Sequence, residues 1–399
     1  MTERYDVGII GAGPAGLTCA YFAARAGARV ILLDRKEPPG QKILLSGGGR
    51  CNILPVSVDP FSYTTDSSPY IVRKILLSFP LDDVRAFLTG PVGLRLFQEE
   101  DKVYPKGGGM EAHRRLIATA RHYGAKIRTG ADVVGVKKGY INLKSGEKVI
   151  VSKVVLATGG MSYPRTGSDG TGYKIARRLG HTVVPPYPAL VALRGGPPAH
   201  HALAGMTIRV RLVIGEGKDR IENEGDFLFT HRGYSGPVVL NIGHVAARAR
   251  MRGEHPPIVV SWNGMEREEW ESILIPSRKT VRGRLREFLP IRLVDLILNE
   301  IILPGGRKLS ELRREERKRL VSALSSYRLP WTSTEGFSRA EVTGGGVDLS
   351  EIEPRTMRSR IHPWLYFCGE ILDAFGPIGG NNFLWAFATG KLAGIGTTS

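Results

Sequence analysis

The most constraining feature of this chain lies at its start. Tyr5-Asp6-Val7-Gly8-Ile9-Ile10 runs straight into Gly11-Ala12-Gly13-Pro14-Ala15-Gly16, and Asp34 closes the next apolar run. Gly-x-Gly-x-x-Gly alone is a weak signal, because a glycine turn also serves packing. Here it follows an apolar strand, opens a helix and has an acid in register about 20 residues on. Gly11 permits the tight turn, Gly13 lets the backbone approach a pyrophosphate, and Gly16 lets the helix pack close to the strand. The helix start then presents unpaired N–H groups and the positive end of its dipole to an anion. Ala28-Arg29-Val30-Ile31-Leu32-Leu33-Asp34 reads as a second parallel strand. Its terminal carboxylate accepts from both hydroxyls of an adenosine ribose and disfavours a 2′-phosphate there. An α/β fold around a dinucleotide-binding domain is expected.

At 399 residues the chain is long enough for two or three domains. No apolar run approaches bilayer-spanning length, and the first apolar segment is the strand before the glycines, so a cytoplasmic protein without a membrane partner is expected. Cys19, Cys51 and Cys368 have no close Cys-x-x-Cys spacing, which argues against a disulfide framework, a cysteine zinc site or a redox dithiol. His200-His201 and His181 lack companion carboxylates at metal spacing, so no metal site is expected. Lys and Arg exceed Asp and Glu by 18 (56 against 38). Such a field attracts polyanions, although a solvated arginine-rich surface gives the same number.

Val133 to Val151 alternates like a hairpin turning at Ser145-Gly146, and Lys153 to Ala157 reads as the next strand, ending at Thr158-Gly159-Gly160. A helix is expected around Glu111 to Tyr123. The character changes in the middle of the chain, which divides it into a Rossmann-like domain at 1–188, an insertion at 189–336 and a returning part at 337–399. The insertion begins β-rich, about 189–275, with strand-like Ile208 to Ile214 and Pro257 to Trp262, and ends helical and basic, about 276–336. Between Arg282 and Arg328 the basic residues outnumber the acids, and Glu311, Glu315 and Glu316 are placed to pair with arginines at helical spacing. In the last part Trp364 to Cys368 forms a strand closing on Gly369-Glu370, and Gly380-Asn381-Asn382 precedes an apolar helix, Phe383 to Leu392.

These stations resemble one family closely: the BaiN/YhiN-like flavoproteins, grouped as the RdsA, BaiN and aminoacetone oxidase family of FAD-dependent oxidoreductases. The segments that carry the resemblance are the first glycine motif, Ser46-Gly47-Gly48-Gly49-Arg50-Cys51-Asn52, Ala157 to Pro164, Leu228 to Pro237, Glu341-Val342-Thr343-Gly344-Gly345-Gly346-Val347 and Cys368 to Asp373. The resemblance implies non-covalent FAD in a Rossmann-like domain interrupted by a β-rich subdomain and a small helical one. It implies FAD contacts from Gly11, Gly13, Gly16, Asp34, Gly49, Arg50, Gly159, Gly160, Gly369, Glu370 and Asn382, flanked by Pro14, Ala15, Arg35, Gly380 and Asn381.

A bound flavin implies hydride or electron transfer, with the protein supplying position and electrostatics. No second glycine fingerprint follows, so either NADH or NADPH is expected to dock transiently at the flavin face as electron donor, or another reductase supplies the electrons. Family members act on the activated C=C bond of steroid acids, on an aminoketone, or on uridine of ribosomal RNA, which becomes dihydrouridine. The positive charge favours ribosomal RNA, held by the insertion's arginines and by Lys42, Arg50, Lys102 and Lys106. A small-molecule substrate and a flavin-containing RNA-binding factor without turnover are the alternatives. Reducing C5=C6 of uracil needs a proton donor, and Cys51, His231 and Tyr163 are the candidates. Arg50 would tune the Cys51 thiol, which is otherwise a small packing residue. His231 reads equally as an FAD contact or a turn residue, and Tyr163 as a cover for the isoalloxazine.

Overall fold

From Val7 onward Arg4–Ile10 is apolar on both faces, which suits a strand covered from both sides. In the computed structural model, which describes residues 3–215 and 220–399, this strand is the middle of a parallel sheet. Its partners are Val30–Leu33 on one side, with Val7 opposite Val30, and Lys148–Leu156 on the other, with Gly8 opposite Val154. Lys126–Arg128 extends the sheet beyond Val30–Leu33, and Leu365–Phe367 extends it beyond Lys148–Leu156, both in parallel. The described chain divides into two compact units, residues 1–188 with 341–399 and residues 189–340.

Residues Val133 to Val151 do not form a single hairpin. Val133–Lys137, Tyr140–Leu143 and Lys148–Leu156 make an antiparallel meander, with Ser145-Gly146 turning between the second and third strands. The missed turn is Lys138-Gly139, where Gly139 takes φ 96°. The third strand runs on through Lys153 as the parallel partner of Arg4–Ile10, so one strand serves both arrangements.

Helix Pro14–Arg25 follows the first strand, with Pro14 pre-set for the opening turn. It packs against helix Asn381–Gly396 at backbone distance. A Cβ on Gly390 would lie 2.6 Å from the Ala15 carbonyl oxygen, and one on Gly394 would lie 2.7 Å from that of Cys19. Alanine at either place would force the helices apart, costing the dispersion contacts and apolar burial of the seam.

The second unit is antiparallel. Its sheet order is Tyr327–Arg328, Ile258–Trp262, Thr207–Ile214, Ile221–Thr230, Gly233–Ser235, Leu193–Arg194 and Ser333–Thr334. Period-two alternation along Thr207–Ile214 sends Ile208, Val210, Leu212 and Ile214 inward. Their core holds Phe227, Phe229, Tyr234 and Trp262, all fully buried, with Phe229 and Trp262 stacked at 6.0 Å between centroids. Each such side chain contributes roughly 1.5–3 kcal/mol of burial. Helices Pro237–Met251, Arg267–Ile273, Val281–Leu285, Ile291–Glu300 and Arg314–Ser325 pack in the unit, with Val239, Trp270, Leu293, Ile297 and Leu320 in the same core.

Candidate functional site

The carboxyl ends of parallel strands are where an open α/β sheet binds ligands, and the glycines collect there. Gly11 has φ 104°, and a Cβ on it would lie 2.3 Å from the Ala157 carbonyl oxygen. A Cβ on Gly16 would lie 1.9 Å from the Gly11 carbonyl oxygen. By contrast, a Cβ on Gly13 would meet no heavy atom within 4 Å among the described residues, so this backbone is bare toward whatever approaches it. Helix Pro14–Arg25 has no side-chain cap and no acid in its first turn, which leaves its N-terminal field for an anion. Asp34 takes the Ala12 and Lys36 N–H groups, each at 2.8 Å, one per carboxylate oxygen, and keeps a second lone pair on each.

Two further polar atoms mark the rim. Among the described residues Asn52 Oδ1 and Ser168 Oγ are buried without a hydrogen-bond partner, an arrangement that costs roughly 1–3 kcal/mol each unless a ligand satisfies it. Ser168 stands beside Gly159, where a Cβ would lie 2.7 Å from its Oγ. Asn52 ends the turn of Gly47, Gly48 and Gly49, which all take positive φ. An uncapped helix start, a bare glycine backbone and orphaned polar atoms fit a dinucleotide cofactor.

Other expected contacts are committed elsewhere. Glu370 takes Lys42 Nζ at 2.5 Å on one oxygen, and Ser162 Oγ and the Thr343 N–H, both at 2.9 Å, on the other. Lys42 also reaches Ser162 Oγ at 2.5 Å, and Thr343 Oγ1 accepts the N–H groups of Met161 and Ser162. Glu370 is thus an anchor joining three segments. Arg35 pairs with Asp169 at 2.5 Å and Asp132 at 3.0 Å. The Asn382 amide closes on both backbone groups of Gly376, and Asn381 Nδ2 reaches the Pro377 carbonyl, so these side chains fix the loop before the last helix. Gly380 takes φ 92° and packs its Cα against the Leu54 backbone.

The expected proton donors separate. Cys51, at φ 58°, is fully enclosed, and burial pushes its thiol up to about 11. Arg50 does not tune it. Its guanidinium pairs with Glu99 at 2.6 Å and lies 4.4 Å from the Tyr104 ring centroid, because Tyr104 and Glu99 form the adjoining antiparallel strands. Tyr163 takes φ 50° before Pro164 in the first unit. His231 is exposed at the turn between Ile221–Thr230 and Gly233–Ser235, in the second unit.

The same three-dimensional commitments alter the charge pattern. Lys102 pairs with Asp101. In the basic stretch Arg282 pairs with Asp295, Arg284 with Glu287, and Arg317 donates to main-chain carbonyls. Of the three glutamates only Glu311 pairs at helical spacing, with Lys308. Glu316 instead holds Arg307, nine positions back, since that segment folds against the start of helix Arg314–Ser325. Arg314, Lys318 and Arg319 remain exposed on that helix without an ion pair among the described residues.

Two buried histidines do have carboxylate companions, far off in sequence. His181 Nδ1 meets Glu351 at 2.9 Å and its Nε2 meets Ser359 Oγ at 2.9 Å. The order resembles a hydrolase triad, but Ser359 Oγ is buried and accepts the N–H groups of Ile361 and His362, which makes it a loop lock. His200 meets Glu300 at 2.9 Å and Tyr234 at 2.8 Å.

Glycine backbone over the carboxyl ends of a parallel sheet, with an acid closing the neighbouring strand and an uncapped helix start beside it, is the architecture of a Rossmann-type FAD-dependent oxidoreductase. The chain belongs to the family described as HI0933-like protein Rossmann domain, which matches residues 5–396. It is 34% identical to the ribosomal RNA dihydrouridine synthase of Escherichia coli (strain K12), over 97% of this chain and 96% of that protein. It is 32% identical to the 3-dehydro-bile acid delta(4,6)-reductase of Clostridium scindens, over 97% and 98%. In fold it is similar to the 3-ketosteroid-delta4-(5alpha)-dehydrogenase of Rhodococcus jostii RHA1, with TM-score 0.51 at 16% identity, over 99% of this chain and 97% of that one. The expected FAD-binding α/β architecture and family therefore hold. No helix among the described residues is long and apolar enough to cross a membrane.

Proposed function

We propose that this enzyme reduces an activated C=C bond with electrons from NADH or NADPH, and that its substrate is uridine in ribosomal RNA, converted to dihydrouridine. The reading is supported above all by the near full-length likeness to a protein named for that reaction. The excess of 18 positive charges and the unpaired Arg314, Lys318 and Arg319 agree with a phosphate-rich partner, and the reading places the enzyme in the cytoplasm. FAD, when bound, supplies the hydride. The N–H groups of Ala15 and Gly16 and the bare backbone of Gly13 would hold its pyrophosphate, and Asp34 would hold its ribose. Gly159 and Gly160, with Ser168 and Asn52, would line its path, while the Lys42–Glu370 pair fixes the walls.

A second reading, reduction of a small enone, is supported by the equally complete likeness to the bile-acid reductase. One experiment separates them. The flavin is bleached anaerobically with NADH or NADPH, and reoxidation is followed on adding unmodified ribosomal RNA or a cyclic enone. Reoxidation by RNA with dihydrouridine formed supports the first reading, whereas reoxidation by the enone alone overturns it in favour of the second.

A further inference from the structure

The Glu341 carboxyl takes no part in the Lys42–Glu370 anchor although its backbone joins it. Glu341 immediately precedes strand Val342–Val347, two residues before the Thr343 that anchors Glu370, and its carbonyl receives Ser162 Oγ at 3.4 Å. Its carboxyl makes no hydrogen bond or ion pair among the described residues. The charged group facing it is Lys42, whose ammonium is already shared between Glu370 and Ser162. Burial pushes this carboxyl above the ordinary carboxylate range, against the pull of Lys42. A part-buried carboxyl without a partner among the described residues, beside the Lys42–Glu370 anchor at the carboxyl ends of the parallel strands, has the placement of a general acid.

We propose that Glu341 is the acid that protonates the substrate carbon during C=C reduction, a role that rests on the reductase reading above. One alkene carbon receives two electrons and a proton as hydride from the reduced cofactor. The other receives the Glu341 proton: the carboxyl O–H bond breaks as the new C–H bond forms. The carboxylate left behind faces the Lys42 ammonium and regains its proton from water. The enclosed Cys51 thiol then acts in packing only.

The test uses the FAD-loaded enzyme and its Glu341→Gln and Glu341→Asp variants. All three should retain flavin absorbance and be bleached by NADH or NADPH at rates within about twofold of each other. Reoxidation of the reduced flavin by unmodified ribosomal RNA or by 2-cyclohexenone should slow on the order of 100-fold in Glu341→Gln, through kcat rather than KM, with partial recovery in Glu341→Asp. The wild-type rate should fall as pH rises and the acid ionises, and this limb should vanish in Glu341→Gln. Independently of any substrate, infrared difference spectra at about pH 6, where exposed glutamates are ionised, should show a protonated carboxyl band that shifts in D2O and is missing in Glu341→Gln. A variant reoxidised at the wild-type rate, or the absence of that band, overturns the acid role and leaves the reductase reading standing. Wild-type enzyme inert to both probes overturns the reductase reading, and the acid role with it.

Discussion

In the first unit Lys42, Glu370, Ser162 and Thr343 meet at the ends of parallel strands. In the second His200, Glu300, Tyr234 and Tyr327 meet between antiparallel strands and a helix. Both clusters satisfy their members. Around the first, glycine replaces side chains and polar atoms are left over at Asn52 and Ser168. The second closes on itself: Tyr234 is fully buried, its hydroxyl shared between His200 and the Pro330 carbonyl, burial pushes both phenols up, and Glu300 at its edge is held by His200 and Tyr327. A satisfied cluster with surplus polar atoms beside it marks a place for a ligand; a satisfied cluster without them is a brace.

The sharpest break of this contrast is Gly16→Ala. Its Cβ would lie 1.9 Å from the Gly11 carbonyl oxygen, so the phosphate turn must open. The expected loss is at least ~3 kcal/mol of first-unit stability together with nearly all copurifying flavin, read from absorbance and urea melts. His200→Ala should keep its flavin. A His200 variant that loses flavin as completely as the glycine variant would erase the distinction.

Next in size is pH. Burial lowers His244, in the second unit, from 6.5 to about 4. Between those values the unfolded chain binds a proton that the folded one refuses, so stability is full above pH 6.5 and falls as pH drops toward 4. The loss is about 3 kcal/mol. Urea melts followed by tryptophan fluorescence should show this slope in the wild-type protein and not in His244→Gln. His181, lowered by burial against the pull of Glu351, adds a slope of the same sign in the first unit.

Glu370→Ala should cost about 3 kcal/mol, because Lys42 is then left part-buried without its anion. Tyr327→Phe, which removes one hydroxyl from the brace, should cost about 1 kcal/mol and leave flavin content unchanged. Equal costs in denaturant would mean the two clusters are of one kind. The smallest effect belongs to Arg314→Glu with Lys318→Glu. Thermal stability should move by less than about 0.5 kcal/mol. RNA affinity should fall, and its salt dependence should flatten by roughly one unit of slope for each phosphate no longer neutralised. Unchanged RNA binding would remove this helix from the partner surface.

What could be read from the chain was local. Gly11, Gly13, Gly16 and Asp34 announce strand, turn and helix because their spacing is set by the geometry of one turn. The apolar run of Asn381–Gly396 likewise announces a buried helix. The partners of charged residues were not legible, since attraction does not care about sequence distance. Lys42 finds Glu370 across 328 positions and His200 finds Glu300 across 100. Arg50, which looked like a neighbour for Cys51, follows the strand that carries Glu99 instead. Glu341 sat in plain view within a family station, but an unpaired acid is recognisable only once every nearby cation is seen to be engaged.

The glycine seam between helices Pro14–Arg25 and Asn381–Gly396 has a consequence for how the protein is made. The first helix is synthesised before its packing partner, with residues 189–340 between them. Residues 189–340 are complete in the nascent chain before that partner exists, and can fold in the interval of seconds that separates them. Throughout that interval the face of the first helix that receives Asn381–Gly396 lacks that partner. Closure of that seam therefore waits for the later helix, and the first unit of the newborn chain stays open until the segments that build it on either side of residues 189–340 have met.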